Sequence, residues 1–175
     1  IHMNDSGRSP GPRIRIYIGR HLCTAPRPVK EADALAAAGF SVSVHGLWLD
    51  PRLIARDLLL LEDRPWTFSP FADGQPGSLF SQLRWLRLRF SRRLAVELWK
   101  HGKRVTPDLY GYGTRALIRF AFGHPADLSI FHHEGGLLAA RILRQRGLRV
   151  GVDFEDWFSR DLSPMEQTGR PLAAL

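Results

Sequence analysis

The sequence has only one cysteine and no long apolar run, and these two absences exclude several classes of protein. Cys23 has no partner for a disulfide within the chain, which fits a reducing compartment such as the cytosol. No run of about 18 consecutive apolar residues is available to span a membrane. The first residues also lack the basic and apolar pattern of a secretory signal. We therefore expect a cytoplasmic protein.

Short motifs for nucleotide and metal binding are missing as well. Gly19 follows the first predicted strand, but there is no G-x-G-x-x-G fingerprint and no glycine-rich loop with a Walker lysine. The motifs of dinucleotide-binding and P-loop proteins are therefore absent. The adjacent His132 and His133 match neither H-E-x-x-H nor a zinc ligand set. We expect no metal and no cofactor.

What is present describes one globular domain. A chain of 175 residues with 44% hydrophobic content is long enough to bury a core. We divide it into a tag remnant and flexible leader at 1–12, a folded domain at 13–162 and a tail at 163–175. The apolar final residues carry no capping signal, so we expect a fragment whose tail leads toward a further domain.

Hydrophobic periodicity predicts alternating strands and helices. The predicted elements are strands at 13–18, 40–45, 127–131 and 148–152 and helices at 29–38, 78–101, 108–122 and 136–146. Between 47 and 77 the chain is rich in proline, and we expect a short helix or turn near 51–60 there. The segment has room for one more short strand, whose position the pattern does not predict. Because strand–helix–strand crossovers are right-handed, they join parallel strands. The prediction is an α/β fold, a Rossmann-like three-layer domain with a mainly parallel sheet.

Polar and ionisable residues follow the ends of these strands. In a parallel sheet the carboxyl ends share one edge, and α/β proteins bind their ligands beyond it. The candidate residues are Gly19 and Arg20 after the first strand, His132, His133, Glu134, Gly135 and Gly136 after the third, and Asp153, Glu155 and Asp156 after the fourth. The ends of the third and fourth strands, which are consecutive in the sequence, thus predict a binding or catalytic site.

Each candidate has a chemical and a structural interpretation. A neutral imidazole can hydrogen-bond or carry a proton near pH 7, or the histidine can simply cap a helix. Gly135 and Gly136 leave open space and exposed amides for a sugar or phosphate. Neighbouring carboxylates disfavour each other's ionisation and so can prepare a general base, or they can cap a turn. The Gly19 turn is equally an anion site or an ordinary loop.

Basic residues are concentrated on one predicted helix. Residues 78–104 hold eight lysines and arginines against Glu97, a net charge of +7 within a total of +8, which favours an acidic partner. The residues expected to meet it are Arg84, Arg87, Arg92, Arg93 and Lys100. Three interpretations stay open: an interfacial membrane helix, a nucleic-acid-binding face, or a surface helix whose apolar stripe is core and whose arginines are solvated.

Two strand–helix–strand units, the basic helix between them and the polar strand ends together resemble the N-terminal half of GT-B glycosyltransferases with a family 4-like N-terminal domain. The resemblance spans about 13–161 and is strongest at 127–161, where the phrase Val150–Ser159 is similar to one in bacterial members. It implies one of two Rossmann-like domains, the one that mainly holds the acceptor. Two features depart from the pattern: the first loop has one glycine, and Glu155-Asp156 stands where relatives often carry histidine.

The resemblance implies roles for individual residues. His133 would contact the donor sugar, Glu155 or Asp153 would hold or polarise the acceptor, and Arg20 would lie near phosphate. The partners would be a nucleotide-sugar donor, bound with the absent C-terminal domain, and a sugar or lipid-linked acceptor. The basic helix itself, rather than the resemblance, adds an anionic membrane surface as an expected partner. We expect this chain alone to be inactive and its location to include the periphery of the inner membrane face. The alternative is a non-enzymatic nucleic-acid-binding module that uses residues 78–104.

Overall fold

The computed structural model describes residues 11–73 and 79–154, and within these ranges it contains five strands and five α-helices. The strands are β1 Arg13–Tyr17, β2 Ser41–Trp48, β3 Thr67–Asp73, β4 Leu128–His132 and β5 Val150–Asp153. The helices are α1 Pro26–Ala37, α2 Pro51–Leu61, α3 Leu79–Gly102, α4 Thr114–Gly123 and α5 His133–Gln145. Short 3₁₀ turns lie at Leu22–Thr24 and Pro107–Leu109.

The five strands form one parallel sheet in the order β3-β2-β1-β4-β5. The chain adds β2 and β3 on one side of β1 and then crosses over to add β4 and β5 on the other side. The point between β1 and β4 is therefore the topological switch point of the sheet, where ligands bind in open α/β folds. The predicted Rossmann-like three-layer fold is confirmed.

Helices cover both faces of the sheet, because each face carries its own row of apolar side chains. On one face α1 and α2 pack on a core that includes Ile14, Ile16 and Val44. On the other face α4 and α5 pack on Tyr17 and Phe131, both fully buried. Parallel sheets need this two-sided cover.

One strand escaped the sequence prediction. β3 pairs with β2 at the edge of the sheet, with a register shift opposite Gly46 and Leu47. Pro70 lies inside β3, and proline is tolerated at such positions because an edge strand leaves some N–H groups unpaired. The proline content of this segment therefore argued against a strand that the structure contains.

Besides α1, which begins at Pro26 rather than at 29, two helix starts differ from the prediction. The helix expected from 108 begins at Thr114, since a 3₁₀ turn and Gly113 in the left-handed region (φ 70°) come first. The helix expected from 136 begins at His133, because β4 passes into α5 with no intervening loop. The second difference places His133 at the turn itself.

Candidate functional site

The candidate site lies at the carboxyl ends of β1, β4 and β5, across the switch point. Gly19 and Arg20 follow β1, while His132 ends β4 beside Asp153 of β5. Residue 133 then starts α5. The structure thus brings together residues that lie more than a hundred positions apart.

The most buried member is His132, which is fully shielded from solvent. Its Nε2 lies 3.0 Å from Oε2 of Glu31, and its Nδ1 lies 3.4 Å from Oδ2 of Asp153. A neutral imidazole has one N–H and can donate to only one of these carboxylates, whereas a protonated ring donates to both. The other Asp153 oxygen lies 3.5 Å from Nη1 of Arg27. The result is a continuous row of alternating acidic and basic groups.

Arg27 and Glu31 were not predicted as site residues. They lie four positions apart in α1, a spacing that puts both on one face of a helix. The local pattern shows that shared face, but nothing in it shows that the face reaches the end of β4. This contact between residues 31 and 132 could not be found from sequence.

His133 contacts Arg20 across the switch point. Nη2 of Arg20 lies 3.0 Å from Nδ1 of His133. Because a guanidinium only donates, Nδ1 accepts this bond and the ring proton lies on Nε2. Burial lowers the pKa of His133 to about 4, and electrostatic interactions with Arg20 and with the neighbouring His132 add to the effect. His133 is therefore neutral at physiological pH.

The backbone of His133 has φ 64°, in the left-handed region. Histidine occurs there more often than most residues other than glycine and asparagine, but the conformation is still uncommon. Such backbone strain is concentrated at functional sites. The direct passage from β4 into α5 imposes it, and this turn aims the ring toward Arg20.

The Gly19 turn differs from a typical anion-binding turn. A Cβ on Gly19 would lie 3.7 Å from Cδ2 of His133, an ordinary contact, so the turn lies against the ring. The start of α1 offers few amides, because two of its first three residues, Pro26 and Pro28, lack an N–H. Any anion here would depend on the side chains of Arg20 and Arg27 rather than on the helix N-terminus.

A buried network holds this turn in place. Asp57, with no exposed side-chain surface, accepts hydrogen bonds from the Cys23 amide (2.7 Å) and Trp48 Nε1 (3.0 Å) and contacts His21 Nδ1 at 3.1 Å. Nε2 of His21 accepts from the amides of Leu49 and Asp50, so Nδ1 carries the ring proton and donates it to Asp57. Both ring nitrogens are engaged, which makes this pair a positioning device for the turn rather than a proton carrier.

Cys23 also belongs to this network. Burial raises the pKa of its thiol to about 11, and the nearby Asp57 carboxylate contributes to the rise. The thiol therefore stays protonated at neutral pH and is a poor nucleophile.

The residues after His133 pack inside the domain. Gly135 and Gly136 are both buried. A Cβ on Gly135 would lie 2.6 Å from Thr114 Oγ1, and a Cβ on Gly136 would lie 3.1 Å from Phe131 Cβ. The open space expected there is absent, since α4 and β4 occupy it.

Glu134 lies in the first turn of α5 and is buried. An acidic residue is favourable at this end of a helix dipole. Burial raises the pKa of Tyr110, and the charge of Glu134 adds to that rise while Arg141 opposes it. The Glu134 carboxylate thus interacts with Tyr110.

Two predicted residues of the acidic strand end, Glu155 and Asp156, lie outside the described residues, and their roles stay predictions. Asp153 is described and is partly exposed. Within 11–73 and 79–154, no group of three or more His, Cys, Asp and Glu side chains is arranged to hold a metal ion. In this described part of the chain, no helix is both long and apolar enough to cross a membrane.

The basic helix α3 differs from the ordinary surface interpretation. Leu83, Leu86, Phe90 and Leu94 belong to the apolar stripe that this interpretation places in the core, and they are 46–66% exposed. Arg84, Arg87, Arg93 and Lys100 are exposed as expected, although Lys100 lies 3.3 Å from Glu97. Arg92 instead donates to the carbonyls of Asp108 and Leu109, so it attaches α3 to the domain.

Comparisons with known proteins do not identify a family. Neither a protein-family profile nor a curated protein sequence matches the chain. Among solved structures, the C-terminal domain of a hydrogenase from Pyrococcus furiosus is similar at 14% identity with a TM-score of 0.45, over 82% of this chain and 91% of that one. UGT2 of Phytolacca americana, complexed with UDP-2-fluoro-glucose and pterostilbene, is similar at 13% identity with a TM-score of 0.43, over 83% of this chain.

The chain covers 31% of the length of the Phytolacca protein. At these identities and TM-scores, neither neighbour indicates an activity. The function therefore has to be argued from the residues of the site itself.

Proposed function

We propose that this chain is the acceptor-binding domain of a glycosyltransferase, which transfers a sugar from a nucleotide-sugar donor to an acceptor hydroxyl. The observation that carries the proposal is the contact of Arg20 with His133 across the β1/β4 switch point. This is where an open α/β sheet binds its ligand, and the two side chains supply a cation and a neutral imidazole. The sequence resemblance to GT-B glycosyltransferases supports the same assignment.

In this proposal His133 hydrogen-bonds a hydroxyl of the donor sugar through its Nε2 proton, and Arg20 lies near the donor phosphates. A guanidinium suits phosphate oxygens because it donates several bonds in one plane. The Nε2 atom is buried in the structure, so in this proposal its hydrogen bond to the sugar forms only in the complex. Hydrogen bonds of active sites often form fully only in the complex.

Asp153 orients the acceptor hydroxyl in this proposal. Its carboxylate is partly exposed and is already held by His132 and Arg27. A carboxylate fixed on one side can accept a hydrogen bond on the other. The row from Glu31 to Arg27 thus positions Asp153. Glu155 would share the role, and no metal takes part.

The proposal includes inactivity of the chain by itself, because the donor would be held largely by a second domain. The 175-residue chain is expected to show no hydrolysis or transfer with a panel of nucleotide-diphosphate sugars. The coding sequence after Leu175 is expected to continue into a further α/β domain of about 150 residues. Robust turnover by the purified chain would contradict this part of the proposal.

The site can be tested by NMR titration of the chain with nucleotide-diphosphate sugars and simple hexosides. Amide shifts are expected near residues 19–21, 132–133 and 153. Arg20→Gln should weaken nucleotide-sugar binding by about tenfold or more, since a hydrogen bond to a charged group contributes roughly 1.5–3 kcal/mol.

Arg144→Gln, which removes an exposed arginine of α5 away from the site, is the matched control and should bind normally. Shifts confined to α3, or equal weakening by both substitutions, would show that the switch point is not the binding site.

A further inference from the structure

The exposed face of α3 carries a continuous apolar ridge, which we define as Leu83, Leu86, Phe90 and Leu94. Their spacing of three, four and four residues places them along one line of the helix. They are 62%, 54%, 66% and 46% exposed, respectively. On the opposite side of α3, Ala95 is buried. The ridge thus points away from the domain, and the described part of the chain leaves it uncovered.

Arginines flank the ridge on both sides. At 100° per residue, Arg84 and Arg87 lie on one flank of the ridge, while Arg89 and Arg93 lie on the other. All four are exposed. The one acidic residue of α3, Glu97, already pairs with Lys100 and His101 at 3.3 Å. The ridge is therefore apolar along its crest and cationic along both edges.

A groove follows each edge. One cavity of about 590 Å³ lies between α3, β3 and α4, and Arg115 and Arg119 of α4 line it together with Arg84 and Arg87. Asp73 and Asp108 line it too, and Asp108 is paired with Arg115. The other cavity, of about 400 Å³, is lined by residues of α3, including Arg89 and Arg93, together with Tyr112. The grooves have room for anionic groups beside the crest.

We propose that the ridge of α3 docks the protein on an anionic lipid bilayer. The leucines and Phe90 would enter the boundary between headgroups and acyl chains, while the flanking arginines meet lipid phosphates. Long basic side chains can bury their stems and keep the charge at this boundary. A nucleic acid accounts for the arginines but not for a leucine crest between them. This inference does not depend on sugar transfer and goes beyond it.

Vesicle co-sedimentation of the full 175-residue chain tests the proposal. Binding is expected to vesicles of phosphatidylcholine mixed with phosphatidylglycerol, and not to phosphatidylcholine alone. The double substitution Leu86→Ser, Phe90→Ser should reduce the partition coefficient by about tenfold or more, because it removes two large apolar side chains from the contact. Phe90→Ser alone should show part of that loss.

The charge requirement is tested separately. Arg87→Gln and Arg93→Gln, one on each flank, should each weaken binding by about fivefold, since one basic residue at an anionic surface contributes about 1 kcal/mol. Added salt should also weaken the binding of the unsubstituted chain, because salt screens its charges. All these positions are exposed, so circular dichroism should show unchanged folding.

Leu59→Ser and Arg144→Gln are the matched controls, because Leu59 is 66% exposed on α2 and Arg144 is exposed on α5. Both should bind vesicles as the parent does. The proposal is overturned if the double ridge variant binds vesicles normally. It is equally overturned if the parent binds duplex DNA or RNA but no vesicles, or if light scattering shows a dimer that Phe90→Ser dissociates and vesicles are not bound.

Discussion

His45 shows how the interior of the sheet determines the charge of one side chain. It is 5% exposed, and its ring stacks on Tyr17 at 5.1 Å and lies 4.8 Å from the ring of Phe120. Its Nδ1 lies 2.9 Å from the Ser69 hydroxyl, and its Nε2 lies 3.1 Å from that of Ser43. Hydroxyls both donate and accept, so they satisfy a neutral ring.

Burial lowers the pKa of His45 to about 4, and the positive charge of Arg15 lowers it further. In the unfolded chain a histidine titrates near pH 6.5, so between these values the unfolded state binds the extra proton. The free energy of unfolding should therefore be intact above about pH 6.5. It should fall as the pH drops toward 4, by up to about 1.4 kcal/mol per pH unit.

Urea unfolding at a series of pH values measures this slope. His133, whose pKa is also lowered to about 4, contributes a slope of its own in the same range. His45→Gln should therefore reduce the slope between about pH 5 and 6 without abolishing it, whereas His101→Gln on the exposed end of α3 should leave it unchanged. An unchanged slope in His45→Gln would mean that the ring is already protonated in the folded state.

At the scale of elements, the turn from β4 into α5 depends on two small residues. Because His133 begins the helix directly, the first turn of α5 is pressed between α4 and β4. The pair Gly135-Gly136 fits there since neither has a Cβ to meet Thr114 or Phe131. The same close packing sets the direction of α5 and hence the place of His133.

Gly135→Ala should destabilise the domain by about 1–3 kcal/mol, because its Cβ would lie 2.6 Å from Thr114 Oγ1 and overpacking of this kind forces neighbours to move. Chemical denaturation gives the free energy of unfolding. Gly123→Ala at the end of α4, where no atom lies within 4 Å of the added Cβ, should cost little. In the Thr114→Ala background the penalty of Gly135→Ala should shrink, and full additivity would contradict the contact.

At the scale of the whole molecule, α3 is attached to the domain rather than built into it. Its main contacts are with the Pro107–Leu109 turn and β3. Arg92 holds this attachment by donating to the carbonyls of Asp108 and Leu109. A helix held by a limited contact can open separately from the core.

Arg92→Met should therefore loosen α3 more than the sheet. We expect a loss of about 1.5–3 kcal/mol, the contribution of hydrogen bonds to a charged group, seen as faster amide hydrogen exchange in α3 with β1 and β4 unchanged. Arg93→Met, at an exposed position, serves as the control and should exchange like the parent. Uniformly faster exchange across the sheet would indicate instead that α3 unfolds with the core.

Local pattern was sufficient for much of the fold. The alternation of apolar and polar residues and the glycines that end helices predicted the parallel β1–α1–β2 and β4–α5–β5 units. They did so because the period of the apolar side chains shows which face each element buries. β3 was not predictable, since Pro70 contradicts a strand unless it is known to lie at an edge. α4 starts later than the expected position after Pro107, because Pro107 begins a 3₁₀ turn and Gly113 precedes the helix.

By itself, then, the sequence determined the α/β class, the polar strand ends and the amphipathic character of α3, all of which depend on neighbours along the chain. Only the tertiary structure decided the rest. It paired His132 with Glu31 and His133 with Arg20, used Gly135 for packing, and left the apolar side of α3 exposed. Periodicity shows that a helix has an apolar side, but what covers that side depends on elements far away in the chain.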